Sequence, residues 1–186
     1  MSDELIYACK RGDMAAFEEL YNKYNQKVYS IAFNMLGTEA DAMDAVQEIF
    51  IKVFKSIRSF RGNSAFSTWL YRVAVNVCYD ELRKRNRLQT DSIEWFAENG
   101  HELQSNLPLP EEQVISSVKA DELKTAILSL KEDYRVVLIL RDVIGLSYDA
   151  IAGILFLPVG TVKSRIARAR DAAMEKIKKK SELFEK

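Results

Sequence analysis

The densest cluster of side chains able to do chemistry lies near the C-terminus, between residues 161 and 170. Its hydroxyl and basic members are Thr161, Lys163, Ser164, Arg165, Arg168 and Arg170. Apolar residues recur at steps of four, three and four, as Val162, Ile166, Ala169 and Ala173. These steps place the apolar side chains along one buried side of a helix. The basic side chains fall outside it, where Arg and Lys can bond guanine edges and anchor phosphates. A solvated basic face is the plainer alternative.

The residues before this helix complete the outline of a helix-turn-helix. Ser147 can cap a short helix that runs through Phe156. Its apolar face consists of Ile151, Ala152 and Leu155. Residues 157–160 then turn the chain, and the final helix is predicted from Thr161 to about Ile177. A short helix, a tight turn and a longer basic helix are typical of proteins that insert one helix into the major groove.

A second candidate site lies in the N-terminal half, where three carboxylates follow helical spacing. Asp41, Asp44 and Glu48 share one helix face at steps of three and four. Metal binding is one interpretation, but no histidine joins them. A solvated acidic face is the plainer one.

A small polar loop follows at residues 61–65. Asn63 and Ser64 supply the donors and acceptors that reading of an unstacked base requires, although an ordinary turn has the same composition. We expect Trp69 to lie in the core, because Leu70 and Val73 flank it. The side chains able to track a phosphate backbone are Arg72, Asn76, Arg83, Lys84 and Arg85.

Hydrophobic periodicity predicts the elements that position these side chains. In residues 1–86 we predict a short helix that ends near Gly12, and further helices that begin at Asp13, Thr38 and about Phe66, the last ending near Arg85. The last three each carry an apolar stripe, which includes Tyr21, Phe54 and Leu70 in turn. In residues 113–186 helices are predicted over 112–129 and 132–144, before the helix-turn-helix. The run 136–140 taken alone resembles a buried strand, but its helical neighbours favour a helix. The sequence therefore predicts an all-α fold of two small helical domains.

Charge divides the chain into three parts, although its 27 basic and 27 acidic side chains cancel. The net charge is +1 over residues 1–86 (the first unit), −5 over 87–112 and +4 over 113–186 (the second unit). The middle part contains Pro108 and Pro110 and predicts an acidic flexible linker. Its 26 residues reach about 86 Å when fully extended. Because the whole chain is neutral, we expect weak, salt-sensitive binding to free DNA, driven by local charge.

Composition excludes several functional classes. No run approaches the roughly 18–20 apolar residues of a membrane span, and the N-terminus lacks a signal-peptide core. Cys9 and Cys78 cannot form a secreted disulfide framework, and the single histidine leaves no Cys/His zinc set. We therefore expect a cytoplasmic protein without membrane insertion, metal or other cofactor. We expect no enzymatic activity, because no nucleophile, general base pair or phosphate loop is present.

Motifs in both units resemble one protein family. Pro158–Arg170, PVGTVKSRIARAR, resembles the second DNA-binding region of extracytoplasmic-function sigma factors, small bacterial transcription initiation factors of the sigma-70 family. The first unit is similar to the family's polymerase-binding and −10 regions in Asp44–Phe50, in Phe66–Asn76, and in Asp80, Arg83 and Arg85. The chain departs from the family at Ala150, where an acidic residue is common. It departs again at Phe156-Leu157, a more apolar turn than usual.

The resemblance implies a role for each candidate residue. Residues expected to face the clamp helices of the polymerase largest subunit are Asp44, Gln47, Glu48, Phe50 and Val53. Residues expected at the −10 element are Arg61, Asn63, Ser64, Phe66, Ser67, Trp69, Arg72, Asn76 and Arg83. Residues expected at the −35 element are Thr161, Lys163, Ser164, Arg165, Arg168 and Arg170.

The resemblance also implies partners, namely core RNA polymerase (clamp helices and beta flap), promoter DNA and an anti-sigma factor. Two other classes remain open from the residues alone. One is a helix-turn-helix regulator with an N-terminal dimerisation or sensing domain, against which the Phe66–Asn76 block counts. The other is a protein-interaction module with an incidental basic helix, against which the Thr161–Arg170 face counts.

Overall fold

The computed structural model describes the backbone of residues 2–99 and 123–184, and the side chains of residues 4–87 and 123–179. The helices of the first unit are α1 (Ser2–Lys10), α2 (Met14–Leu36), α3 (Glu39–Ser56) and α4 (Phe66–Asn99), with a 3₁₀ turn at Ile57–Ser59. Those of the second unit are α5 (residues 123–128), α6 (Glu132–Leu138), α7 (Tyr148–Leu155) and α8 (Val159–Phe184). No strand occurs in the described ranges, and the predicted all-α fold is confirmed.

Capping side chains explain where several helices begin and end. The side-chain oxygens of Asp13, Thr38 and Ser147 each accept the backbone N–H three residues on, at 3.1, 3.3 and 3.1 Å. Each bond satisfies a donor that the first helical turn leaves unpaired. At the end of α2, Gly37 adopts a φ of +93°, and its N–H donates to the Phe33 carbonyl at 2.9 Å. This left-handed cap costs glycine little.

The core of the first unit follows the stripes predicted for α2, α3 and α4. Its most buried side chains include Leu20, Val28, Ile31, Met35, Ile49, Val53, Leu70, Ala74 and Val77. The sequence places Tyr21 and Phe54 in the same stripes, but the structure leaves them 39% and 45% exposed. They therefore belong to a surface that the first unit does not cover itself.

The apolar run of the second unit lies in a continuous helical stretch. Beyond α6 the chain continues as a π-helical turn, Ile139–Val143, in which the Ile144 N–H donates to the Ile139 carbonyl at 2.9 Å. All of residues 136–140 are buried. The helical interpretation of this apolar run is therefore correct.

Helices α7 and α8 form the predicted helix-turn-helix. They are bent by 101° at the turn, within the roughly 90–120° of this motif. The predicted stripe of Val162, Ile166, Ala169 and Ala173 is at most 6% exposed. In α7 Ile154, rather than Leu155, joins Ile151 in the core. No single helix among the described residues has the length and hydrophobicity of a membrane span, and α7 and α8 pass that test only when combined across their bend.

Helix α4 is longer than the sequence predicts. It continues past Arg85 to Asn99, into the segment interpreted as a linker. No proline or glycine interrupts the sequence before Gly100, so nothing local breaks the helix. A helix advances only about 1.5 Å per residue, so this part of the linker contributes less reach than an extended chain would. The remaining linker residues, 100–112, lie outside the described residues.

The two units pack against each other at the C-terminus of α2. The Arg135 guanidinium on α6 donates to the Met35 carbonyl at 2.7 Å, to the Leu130 carbonyl at 3.1 Å and to the Leu128 carbonyl. From α4, Arg85 donates to the Leu36 carbonyl at 3.2 Å. Positive charge at the C-terminal end of a helix is favourable, because the last carbonyls carry partial negative charge.

We predict that Arg135→Met lowers the free energy of unfolding by about 1.5–3 kcal/mol, because it removes several charge-assisted hydrogen bonds and leaves part-buried carbonyls unpaired. Urea unfolding followed by circular dichroism measures the loss. Arg58→Met is the matched control, since Arg58 is exposed, and it should change stability by less than about 0.5 kcal/mol. Equal losses in the two variants would contradict a linking role for Arg135.

Candidate polymerase and DNA interfaces

An apolar groove runs between α2 and α3 on the surface of the first unit. Its volume is about 890 Å³, and its lining includes Phe17, Tyr21, Met43, Phe50, Ile51 and Phe54. Met43, Ile51 and Phe54 are 59%, 45% and 45% exposed. Contiguous exposed apolar surface of this kind marks an interaction site in a folded protein.

Gln47 lies at the edge of this groove, and Glu48 lies next to it on α3, outside the groove lining. Gln47 is exposed and lines the groove beside Met43. The Glu48 carboxylate forms an ion pair with the Lys52 Nζ atom at 2.9 Å. The hydrogen bond from Lys52 holds the pKa of Glu48 below its usual value. The groove therefore has an amide at its edge and a charged carboxylate on the adjoining flank.

The three predicted carboxylates do share one face of α3. Asp41, Asp44 and Glu48 line a small cavity of about 100 Å³, with Glu81 of α4 opposite. Asp41 also forms a 2.8 Å ion pair with Arg85. In the part of the chain that the structure describes, no group of His, Cys, Asp and Glu is arranged to hold a metal ion.

The two apolar residues predicted to contact polymerase lie in different environments. Phe50 is only 5% exposed but forms part of the groove lining. Val53 is fully buried, so it supports the groove from the core and offers no contact surface. The prediction for Val53 is wrong in this respect, because helical spacing turns it away from Phe54 and into the unit.

The polar loop after the 3₁₀ turn carries exposed side chains and is flanked by a cluster of aromatic rings. Arg61, Asn63 and Ser64 are all exposed. Beneath them, the rings of Phe60, Phe66 and Trp69 form a triangle with centroids 5.5 Å apart. Phe66 is 8% exposed and belongs to the core, which corrects its prediction as a DNA contact. Ser67 and Trp69 are half-buried.

The remaining candidates for the −10 element follow one face of α4. Trp69, Arg72, Asn76 and Arg83 are separated by three, four and seven residues, which brings them onto one side of a helix. Asn76 is exposed, and Arg83 pairs with Asp80 at 3.3 Å. Arg72 is turned toward the second unit, where it donates to the Gly153 carbonyl at 2.6 Å.

The six candidates on α8 divide between two sides of the helix. On one side Lys163 lies 5.7 Å from the centre of the Tyr148 ring, and Arg170 forms a two-point ion pair with Asp142 at 2.5 and 3.1 Å. The other side holds Thr161, Ser164, Arg165 and Arg168, since steps of three and four residues keep them together. Only this second set forms a continuous polar strip.

Arg165 lies where α8 approaches α6 and α4. It pairs with Asp133 at 3.3 Å, and its side chain is only 24% exposed. The Tyr79 hydroxyl of α4 lies nearby: burial raises the pKa of Tyr79 to about 12, while the charges of Asp133 and Arg165 act on it in opposite directions. Arg165, one member of the strip that would read DNA, is thus already held by Asp133 of the same unit.

Sequence reasoning missed two sets of residues at these surfaces. The groove residues Met43, Ile51 and Phe54 carry no polar group, and helical periodicity alone assigns such residues to a core. The acidic partners Asp133 and Asp142 are distant in sequence from α8, so only the tertiary fold reveals their pairing with Arg165 and Arg170.

Comparisons with known proteins match both units. The family model described as Sigma-70 region 2 matches residues 20–88, and the model described as Sigma-70, region 4 matches residues 120–172. Because region 2 matches the first unit, the alternative of a helix-turn-helix regulator with an N-terminal dimerisation or sensing domain is not favoured.

Similar relatives cover almost the whole chain. The ECF RNA polymerase sigma-E factor of Escherichia coli is 41% identical over 93% of this chain and 92% of that protein. The ECF RNA polymerase sigma factor SigW of Bacillus subtilis is 36% identical over 96% and 97%. Among solved structures, the sigma factor RpoE in complex with the anti-sigma factor NepR from Bartonella quintana has a TM-score of 0.68 and 28% identity, covering 87% of this chain and 96% of that chain. The chain therefore belongs to the extracytoplasmic-function sigma factors of the sigma-70 family, non-enzymatic transcription initiation factors that direct RNA polymerase to promoters.

Proposed function

We propose that the chain divides this activity between its units. Residues 1–86 bind core polymerase and hold the −10 element, residues 113–186 recognise the −35 element, and residues 87–112 join them. The observation that carries the proposal is the separation of surfaces in the first unit, where an apolar groove lies between α2 and α3 and a polar loop precedes α4. The protein contributes recognition and no catalysis, and it acts in the bacterial cytoplasm.

The groove between α2 and α3 receives the clamp helices of the polymerase largest subunit. An amphipathic helix laid into a hydrophobic groove is a recurring mode of recognition. Met43, Ile51 and Phe54 supply apolar contacts, while Gln47 and Glu48 fix the orientation of the partner through hydrogen bonds and charge. Asp44, exposed on the adjoining flank, extends this polar edge.

The loop at residues 61–65 and the outer face of α4 hold the −10 element. Asn63 and Ser64 offer donors and acceptors to an unstacked base, and the aromatic triangle beneath keeps the loop in place. Arg61, Arg72, Asn76 and Arg83 follow the phosphate backbone. Ser67 and Trp69 line the path between the loop and this face.

Helix α8 reads the −35 element with the strip of Thr161, Ser164, Arg165 and Arg168. Asp133 holds the Arg165 guanidinium at the edge of α8 before DNA arrives. Lys163 and Arg170 lie on the other side, so they contact phosphate or stabilise the unit through Tyr148 and Asp142. The second unit also faces the beta flap of polymerase.

The chain also binds an anti-sigma factor. The similar sigma factor from Bartonella quintana was solved with one, and its fold matches across both units. A protein that encloses both units would block the polymerase groove and the DNA faces together.

We predict that Arg165→Ala and Arg168→Ala each weaken promoter binding by holoenzyme by about 1–3 kcal/mol, because each removes a base-reading side chain. Binding of core polymerase should not change. Titration of promoter DNA with purified holoenzyme, beside titration of the variant with core, measures both quantities. Lys176→Ala, further along α8, is the matched control and should have a much smaller effect on either. If both titrations fall equally, the proposed role of this strip fails.

We predict the reverse pattern for Gln47→Ala and Glu48→Gln. Each should raise the Kd for core polymerase at least about fivefold, as expected for an interface residue whose truncation costs about 1 kcal/mol or more. At saturating concentrations of the variant, promoter discrimination should be normal, because the DNA faces are intact. Fluorescence anisotropy with labelled protein and core measures the Kd, with exposed Lys55→Ala as the control. Normal core affinity in both variants would exclude this edge of the groove from the interface.

A further inference from the structure

Arg72 is shared between the two units in a way that the sigma activity does not require. Its Nη2 donates to the Gly153 carbonyl of α7 at 2.6 Å, and its guanidinium carbon lies 4.0 Å from the centre of the Phe156 ring. A planar guanidinium at this distance both stacks on the ring and is attracted by its electrons. A single side chain of α4 thus contacts the C-terminal end of α7 at two points.

Phe156 has an unusual backbone conformation and an exposed ring. It ends α7 with φ 55° and ψ 44°, a left-handed conformation in which a bulky residue is rare, and it is 74% exposed. Neither burial in the core nor a turn preference explains a phenylalanine there. The stacking with Arg72 does, because it gives the exposed ring a partner on the other unit.

Close approach of the backbone completes the contact. A Cβ placed on Gly153 would lie 3.5 Å from the Thr68 Cγ2 atom of α4. That distance is an ordinary van der Waals contact, so α7 lies directly against α4 at residue 153, with its carbonyl within reach of Arg72. Thr68 and Arg72 are four residues apart, on the same face of α4.

We propose that Arg72, Gly153 and Phe156 form a latch that holds the two units closed in the free protein, and that this latch must open before promoter DNA can bind Arg72. The second half rests on the proposed function, in which Arg72 follows the −10 backbone. Closing the units also brings the charge of Arg165 on α8 close enough to act on Tyr79 of α4. DNA binding by the free protein is then limited by opening of the latch.

A designed disulfide tests the closed arrangement directly. Thr68→Cys with Gly153→Cys would place the Cβ of residue 153 about 3.5 Å from a γ position of residue 68, which is close enough for a disulfide to form. The native Cys9 and Cys78 are buried. We expect this pair to cross-link under mild oxidation at least tenfold faster than Thr68→Cys with Gly160→Cys, where a Cβ on residue 160 meets no atom within 4 Å. Equal rates for the two pairs would overturn the latch.

The cross-linked protein then tests the need for opening. Oxidised protein, purified and added to core polymerase with a pool of genomic templates, should yield at least tenfold less promoter-specific transcript than the same protein after reduction. The reduced sample also shows that the double substitution folds and functions. Equal transcript from oxidised and reduced protein would overturn the requirement for opening.

Substitution of the ring separates the latch from the DNA contact. Phe156→Ala should slow formation of the same cross-link about two- to fivefold, as loss of a surface cation–π contact predicts, whereas Phe156→Tyr should leave the rate unchanged. An unchanged rate in Phe156→Ala would contradict the latch whatever the role of Arg72 on DNA. Conversely, normal promoter binding by Arg72→Ala holoenzyme would remove Arg72 from the −10 surface without affecting the cross-linking result.

Discussion

The arrangement of this molecule depends on how the C-terminus of α2 is satisfied. The last carbonyls of any helix lack partners within it, and here Arg135 of the second unit and Arg85 of α4 donate to them. Because one of these cations comes from α6, closing the end of α2 also fixes the second unit beside α4. The contact of α4 with α7 follows from that placement.

Because of this placement, one candidate binding surface is open while side chains of the others are occupied. The apolar groove between α2 and α3 stays open, with Met43 59% exposed, whereas Arg72 and Arg165 are already engaged within the chain. With the proposed roles of these surfaces, the free protein can bind polymerase before its DNA-binding side chains are available. The neutral total charge acts in the same direction, because it provides little general attraction to the duplex. The proposed function therefore assigns specific DNA contact to local charge, on the faces of α4 and α8.

Periodicity predicted much of this architecture because it records which side of a helix is buried. The stripe from Val162 to Ala173 is correct at every position, and so is the helical interpretation of residues 136–140. The same rule failed at Tyr21 and Phe54, because an apolar residue on an exposed interaction surface has the same helical spacing as one in the core. Val53 was misplaced for the opposite reason: a matching motif does not say which of its apolar members faces inward. The latch was beyond sequence reasoning, because Arg72 and Phe156 meet only through the tertiary fold.

Run-off transcription most directly tests the central claim, that this chain directs polymerase through two separate promoter elements. Core RNA polymerase would be incubated with a pool of genomic templates, with and without the protein, and the transcript start sites mapped. We expect discrete transcripts that depend on the protein and share one upstream motif near −10 and another near −35. The absence of any promoter-specific transcript, or starts that share no paired motifs, would contradict the account.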